Sequence, residues 1–299
     1  MRLYDAHNHL HDDRFGGRQE ALVLACRESG VVRMVVNGSA ESDWEAVAEL
    51  ARRHPDLVIP AFGLHPWYVH ERSPNWRERL HRHLDAVPGA VVGEIGLDRW
   101  ILECPPAARA GVSPELAEHR AAPLEEQAEV FGEQMRMAAE RGLPVSIHCL
   151  RAWGLLGDLL RAGPRPERGF LLHSYGGPVD LVKAMVGLGA YFGFPGYFLH
   201  ERKARQRETF RAIPEERLLV ETDAPDQRLP SPEELRRVLG AGLESVVTRV
   251  LHGDDGRPLN HPANLGIVHG GLSVIRGLDP EGLADQVGRN FGRLFGAGP

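Results

Sequence analysis

Hydrophobic residues along the chain fall into short continuous runs that alternate with longer amphipathic stretches. Short apolar runs rich in β-branched residues are typical of parallel strands that are buried on both faces of a sheet. Eight runs have this character and are predicted as strands: residues 2–6, 31–38, 57–63, 90–96, 144–149, 170–173, 190–193 and 218–222.

The stretches between these runs have helical spacing. Apolar side chains recur every three or four residues within 44–51, 124–138 and 283–294. Strands that alternate with helices predict an α/β fold, and eight such units predict a closed (β/α)8 TIM barrel. Because a chain of 299 residues is usual for one such barrel, we expect a single barrel domain over residues 1–299.

Two segments interrupt the alternation. Residues 99–122 follow the fourth predicted strand and contain three prolines. Residues 226–265 follow the eighth strand and are predicted to contain a helix and then a loop. We expect both insertions on the C-terminal face of the barrel, where loops determine the choice of substrate.

Ionisable side chains stand at the ends of several predicted strands. His7 and His9 follow the first strand, and alternate residues of a strand share a face, so the two imidazoles can chelate one cation. Two such histidines alone also occur as ordinary polar residues. Further apolar runs end in the same types of ligand, however, at Glu94, His148, His173 and Asp223. A barrel brings these ends together, which predicts a divalent-metal centre.

The donor set narrows the kind of metal. Nitrogen and oxygen ligands suit Zn²⁺, Mn²⁺, Mg²⁺ or Fe, and the absence of thiolates disfavours a closed structural zinc site. The three cysteines are scattered and are expected to be reduced. Four histidines and two carboxylates are enough for two ions, and Glu94 is the candidate for a bridging ligand.

In their order along the chain, these motifs resemble the TatD-like deoxyribonucleases, a family within the amidohydrolase superfamily. The resemblance extends from residue 1 to about residue 225. It rests on His7-x-His9, Gly63-Leu-His65-Pro66, Gly93-Glu94-Ile-Gly-Leu-Asp98, Leu143-Pro-Val-Ser-Ile-His148, His173-Ser-Tyr-Gly-Gly and Glu221-Thr-Asp223-Ala-Pro225.

The resemblance implies metal-dependent hydrolysis, in the best-known members of phosphodiester bonds in DNA. It implies that His7, His9 and Asp223 hold one metal together with Glu94. It also implies that Glu94, His148 and His173 hold the second. Many superfamily relatives use a carbamylated lysine as the bridge, but the two lysines of this chain fall outside the predicted strand ends.

Catalytic and supporting roles follow from this arrangement. Two cations would acidify a water and offset developing charge, and Asp223 would take the water's proton. His65 is assigned to substrate contact or to stabilisation of charge in the transition state; a purely structural histidine is the alternative. Asp5 is expected to accept a hydrogen bond from a ligand imidazole; a surface carboxylate is the alternative.

Three arginines are candidates for phosphate binding: Arg151, Arg205 and Arg257. Arg205 belongs to a charge run that also fits a solvated helix face. The family usually carries an arginine two residues after the metal histidine of the fifth strand. This chain has Leu150 there and Arg151 one residue later, which departs from the family pattern.

The composition of the chain argues against some classes of function and location. A net charge of −6 argues against a protein that coats nucleic acid through bulk positive charge. No apolar stretch is long enough to span a bilayer, and the N-terminus has no signal-like apolar region, so we expect a cytoplasmic location. Nothing indicates an obligate protein partner, and a monomer or a small homo-oligomer is expected.

Three functions are compatible with these features. The first is a metal-dependent nuclease or phosphodiesterase. The second is a hydrolase of an amide, ester or lactone on the same dimetal site, which net acidity, the displaced Arg151 and the insertion at 99–122 keep open. The third is a non-catalytic metal-binding protein, which would have no need of a water-activating Asp223.

Overall fold

Eight parallel strands form one sheet, in sequence order, in the computed structural model, which describes residues 1–110, 118–240 and 248–296. Each predicted run corresponds to one strand, and the ends differ by no more than two residues. The strands are β1 (Leu3–Asn8), β2 (Val31–Asn37), β3 (Val58–Phe62), β4 (Val91–Asp98), β5 (Val145–Leu150), β6 (Phe170–Leu172), β7 (Ala190–Pro195) and β8 (Leu218–Glu221).

The end of the eighth strand meets the first, which closes the sheet into a (β/α)8 barrel. The amide of Asp223 donates to the carbonyl of His7 over 2.9 Å, and the amide of His9 donates to the carbonyl of Ala224 over 2.8 Å. Strands β3, β4, β7 and β8 are buried along their whole length, as expected for parallel strands covered on both faces. The predicted fold is confirmed.

Helices surround the sheet: α2 (Trp44–Arg53) packs against β3, α6 (Leu124–Arg141) against β4, and α12 (Pro280–Phe295) against β1 and β8. The three helices predicted from apolar spacing are α2, α6 and α12. The helices of the described residues are α1 (Gln19–Glu28), α2 (Trp44–Arg53), α3 (Trp76–Ala86), α4 (Trp100–Glu103), α5 (Pro106–Ala110), α6 (Leu124–Arg141), α7 (Trp153–Ala162), α8 (Val182–Gly187), α9 (Ala204–Ala212), α10 (Pro232–Leu239), α11 (Leu265–Arg276) and α12 (Pro280–Phe295).

The two insertions contain regular structure. The segment 99–122 contributes α4 and α5, and its residues 111–117 lie outside the described residues. In the segment 226–265, residues 241–247 lie outside them as well. Helix α10 is present in the second segment, as predicted.

The segment after α10 that is predicted as a loop contains a strand instead: β10 (Pro258–Asn260) pairs with β9 (Val250–His252), just before it, in an antiparallel hairpin. Each strand has only three residues, too few to show alternation in the sequence. The amide and side chain of Asn260 donate to the carbonyls of Pro225 and Thr222, each over 2.8 Å. These bonds hold the hairpin at the C-terminal end of β8.

Among the described residues, no helix combines the length and the hydropathy that a membrane span requires.

Candidate metal centre

One carboxylate oxygen of Glu94 faces two imidazoles from neighbouring strands. Its Oε1 lies 2.8 Å from Nε2 of His173 and 3.2 Å from Nδ1 of His148. The two nitrogens are 3.2 Å apart. Ligands of one tetrahedral ion with bonds near 2.0–2.1 Å stand roughly 3.3 Å from each other. These three side chains therefore have the separations that one divalent ion needs.

The other oxygen of Glu94 faces the pair of histidines at the end of β1. Oε2 lies 3.5 Å from Nε2 of His7 and 3.5 Å from Nε2 of His9. Oδ1 of Asp223 lies 3.6 Å and 3.5 Å from the same two nitrogens. The structure thus brings all six predicted ligand residues together, in two groups that meet at Glu94.

The chemistry of these atoms fits a cation. Nε2 of His7 is buried and has no hydrogen-bond partner among the described residues. A buried polar nitrogen without a partner is costly, and the lone pair of a neutral imidazole beside two carboxylates is a donor for a divalent ion. Grouped by distance alone, His7, His9 and Asp223 form one potential ligand set, and His7, Glu94 and His173 form another.

The two histidines at the end of β1 are oriented through their outer nitrogens. Nδ1 of His9 lies 2.7 Å from the carbonyl oxygen of Asn37, and Nδ1 of His7 lies 2.8 Å from the hydroxyl of Ser146. Because Nδ1–H is donated outward to the carbonyl, Nε2 of His9 is the nitrogen that faces the carboxylates. Sequence reasoning missed Asn37 and Ser146, although both lie on strands of the barrel.

His148 has a carboxylate as its outer partner. Its Nε2 lies 3.1 Å from Oδ2 of Asp98, the last residue of β4. Asp98 is held in turn by the indole N–H of Trp67 (2.6 Å) and the amide of Ile101 (3.0 Å). A carboxylate behind a ligand histidine fixes the ring and makes it a better donor. The motif Gly93-Glu94-Ile-Gly-Leu-Asp98 contains this residue, but its role was not predicted.

Asp5 is buried, but its contacts differ from the prediction. Oδ1 accepts from the amides of His7 (3.3 Å) and Thr222 (3.0 Å), and Oδ2 accepts from the hydroxyl of Thr222 (2.6 Å). The expected hydrogen bond from a ligand imidazole is therefore wrong, because the short side chain reaches the main chain where β1 meets β8. Burial, only partly offset by the bonds from Thr222, raises the pKa of Asp5 to about 7.

His65 lies next to Glu94 as a neutral group. The amide of Trp67 donates to Nδ1 of His65 over 3.2 Å, which places the ring proton on Nε2. That Nε2 is 3.5 Å from Oε1 of Glu94. Burial outweighs the charge of Glu94 and lowers the pKa of His65 to about 3. His65 thus offers an uncharged N–H, so a role for it as a positive charge is disfavoured.

The carboxylates dominate the electrostatics of the centre. Burial opposes their charge, but the imidazoles of His173 and His148 hold the pKa of Glu94 well below its usual value. Burial likewise opposes charge on His9, but the hydrogen bond with Asp223 and the charge of Glu94 raise its pKa to about 9. A site that favours positive charge despite burial is suited to cations.

Asp223 is fixed by a residue from the insertion after β8. The side-chain amide of Gln227 donates to Oδ2 of Asp223 and to the hydroxyl of Ser174, each over 2.6 Å. Oδ1 is left facing His7 and His9. Asp223 has φ of 51°, a left-handed conformation that Asp and Asn adopt more readily than most residues. Sequence reasoning did not identify Gln227, because the partner is found only in three dimensions.

Comparison with known proteins decides the family. The family model described as TatD related DNase matches residues 4–296. The chain belongs to the TatD family. It is accordingly a metal-dependent hydrolase, and the predicted family is confirmed.

Relatives in the TatD family match along most of their length. The 3'-5' ssDNA/RNA exonuclease TatD of Erwinia tasmaniensis is 27% identical over 299 residues, which cover 98% of this chain and 99% of that protein. The uncharacterized metal-dependent hydrolase YjjV of Escherichia coli is 29% identical over 252 residues, covering 81% and 90%. The crystal structure of the TatD homologue YjjV superimposes with a TM-score of 0.78 at 25% identity, covering 99% and 98% of the two chains.

The three arginines predicted to bind substrate differ from the ligands of this TatD-type centre in being exposed. Arg151 is exposed and 3.5 Å from Oε2 of Glu103, and Arg257 is exposed and 3.5 Å from Asp255. Arg205 lies on the exposed side of α9. Within the described residues, none of the three contacts a candidate ligand.

Proposed function

We propose that this chain hydrolyses phosphodiester bonds of single-stranded DNA or RNA, starting from the 3' end, with two divalent cations held around Glu94. The convergence of four imidazoles and two carboxylates on the C-terminal face is the observation that carries the proposal. His7, His9 and Asp223 would hold one ion with Glu94, and Glu94, His148 and His173 would hold the other. Zn²⁺, Mn²⁺ and Mg²⁺ all accept such ligands.

Two bound divalent cations would supply Lewis acidity, which makes water a nucleophile near neutral pH and offsets charge on a phosphate. Asp223 accepts the proton of the attacking water. Burial opposes its ionisation, but the hydrogen bond with His9 lowers the pKa of Asp223, so the carboxylate is ionised at neutral pH. Gln227 holds Oδ2, and Oδ1 is then oriented for proton transfer. His65 donates its Nε2–H to an oxygen that gains negative charge.

Aromatic side chains beside the centre support a single-stranded substrate. Trp67 and Trp100 are half-buried, and their ring centroids are 6.4 Å apart. Trp67 also bonds to Asp98 and His65, which links this aromatic surface to the ligand residues. Bases stack on aromatic faces with little dependence on sequence, and stacking needs no bulk positive charge. An enzyme with a net charge of −6 can bind nucleic acid in this way.

The test is cleavage of a single-stranded oligonucleotide labelled at its 3' or its 5' end, with Mg²⁺, Mn²⁺ or Zn²⁺. Asp223→Asn should lower kcat by about 10²–10⁴-fold, because Asn cannot take the proton. Asn tolerates the left-handed backbone at this position, so circular dichroism should show an intact fold. The matched control is Asp158→Asn, an exposed carboxylate on α7 that pairs only with Arg161 among the described residues.

Two results would contradict the proposal. In the first, Asp223→Asn cleaves as fast as the Asp158→Asn control. Alternatively, wild-type protein with each metal leaves DNA and RNA intact but opens a lactone, ester or amide. The second result would assign the same centre to the other class of hydrolase.

A further inference from the structure

A second group of metal-ligating side chains lies outside the centre around Glu94: His70, Glu71 and His119. His70 and Glu71 end the short 3-10 turn Val69–Glu71 after β3, and His119 comes from the insertion 99–122. One ligand atom from each residue lies within 4.8 Å of the others. None of the three has a role in the proposed hydrolysis.

The nitrogens converge on one carboxylate oxygen. Nε2 of His70 lies 3.8 Å, and Nδ1 of His119 lies 3.9 Å, from Oε1 of Glu71. Both distances are too long for hydrogen bonds and about half an ångström wider than the roughly 3.3 Å between ligands of a tetrahedral zinc ion. The two rings are nearly perpendicular, at 81°, with centroids 5.2 Å apart. A small rotation of the exposed Glu71 side chain would close the set.

His119 is already oriented as a ligand. Its Nε2 donates to the carbonyl of Trp67 over 2.5 Å, so the lone pair is on Nδ1, the atom that faces Glu71. Metal-binding histidines commonly donate their other N–H to a main-chain carbonyl in this way. Arg109 donates to the carbonyl of His119 over 2.8 Å and holds the residue in place. Nδ1 of His70 is buried within the protein, which leaves Nε2 as its accessible nitrogen.

We infer that His70, Glu71 and His119 bind one further divalent cation of the Zn²⁺ type. Two imidazoles and a carboxylate are a known set of three protein ligands for zinc, with the fourth position left to solvent. The side chain of Glu71 is 53% exposed, so the ion can reach the site from solvent.

The bound ion would connect the insertion 99–122 to the segment after β3. Trp67 lies between the two centres, since its carbonyl accepts from His119 and its amide donates to His65. The site would therefore fix the aromatic surface beside the hydrolytic centre. We call it the rim site.

The test counts zinc in the full chain after equilibrium dialysis against buffered Zn²⁺, by elemental analysis. Glu71→Gln should hold one equivalent fewer than wild type, and so should the double variant His70→Asn, His119→Asn. Glu71 is exposed, so its substitution leaves the fold intact, which circular dichroism verifies. The control is His252→Asn, an exposed histidine on β9, which should keep the wild-type count.

A second background separates the rim site from the Glu94 centre. The variant His148→Ala, His173→Ala should still bind the rim zinc, and adding Glu71→Gln should remove it. The inference is overturned if Glu71→Gln and the double histidine variant bind as much zinc as wild type. If the His148, His173 variant loses no zinc but Glu71→Gln loses one equivalent, the rim site stands and the two-ion proposal fails.

Discussion

The residues around Glu94 and the arginines predicted to bind substrate differ in how firmly the fold holds them. Two imidazoles of the centre are held on both sides: His9 contacts Asn37 as well as the carboxylates, and His148 contacts Asp98 as well as Glu94. Arg151 and Arg257, by contrast, are exposed, and among the described residues each pairs with one acidic side chain, at 3.5 Å.

The residues proposed to carry out hydrolysis are therefore held differently from those predicted to contact the substrate. Preorganised ligands and proton acceptors need buried partners, since even small displacements reduce catalysis. Exposed arginines are held weakly and can adapt to a substrate, but each contributes little. We therefore expect substitutions to have the largest effect on activity at the Glu94 centre and the smallest effect at the exposed arginines.

The largest effect is expected at Glu94, because both groups of candidate ligands meet there. Glu94→Gln keeps the shape but removes the charge that faces five imidazoles, and kcat/KM should fall by about 10³-fold or more. Elemental analysis should show a loss of bound metal as well. Glu45→Gln, an exposed glutamate on α2, is the matched control. Activity within tenfold of wild type would remove Glu94 from its central position.

Asp98→Asn tests whether the partner behind His148 supports metal binding. Since the carboxylate makes the imidazole a better donor, the variant should need about 10–100-fold more metal for half-maximal activity. Saturating metal should restore most of kcat, which a structural defect would not allow. Asp56→Asn, exposed and paired with Arg27, is the control. An unchanged metal dependence would show that Asp98 serves only to hold Trp67 and α4.

Gln227→Glu tests the orientation of Asp223 through the pH dependence of the rate. The pKa of Asp223 is below its usual value, since the bond with His9 outweighs burial. A second carboxylate beside Oδ2 disfavours ionisation, so the pKa should rise and the acidic limb should move up by about one pH unit. At a pH on that limb, the Gln227→Glu variant should be about tenfold slower than wild type, and at higher pH the two rates should differ little. Gln227→Leu removes the hydrogen bond to Oδ2 but adds no charge, so it should move the limb in the same direction by less. A limb unmoved in both variants would contradict this role.

The barrel and the residues of the candidate centre could be predicted largely from the pattern of apolar and ionisable residues in the sequence. Apolar runs located the eight strands, and the barrel rule then brought His7, Glu94 and Asp223 to one face, where the structure has them adjacent. Strand ends are informative because an ionisable residue that ends an apolar run must find a partner or solvent.

The partners of those residues could not be predicted. Asn37, Ser146 and Gln227 reach the centre from other strands and loops, and nothing in their local sequence distinguishes them from ordinary polar residues. Asp5 has the expected burial, but its carboxylate bonds to main-chain amides. Contacts of this kind depend on side-chain reach in the folded chain, which spacing does not encode.

The smallest effects are expected for the arginines, which sharpen the contrast with the centre. Arg151→Ala, Arg205→Ala and Arg257→Ala should each raise KM for a single-stranded oligonucleotide about two- to fivefold with kcat unchanged, in proportion to an exposed ionic contact of up to about 1 kcal/mol. Added salt should reduce the difference from wild type, because screening weakens contacts with phosphate. Arg161→Ala on α7, exposed and paired with Asp158, is the control and should behave as wild type. A loss of 10²-fold in kcat for any of the three would show that this arginine stabilises the transition state. The distinction between a fixed centre and adaptable, exposed arginines would then be wrong.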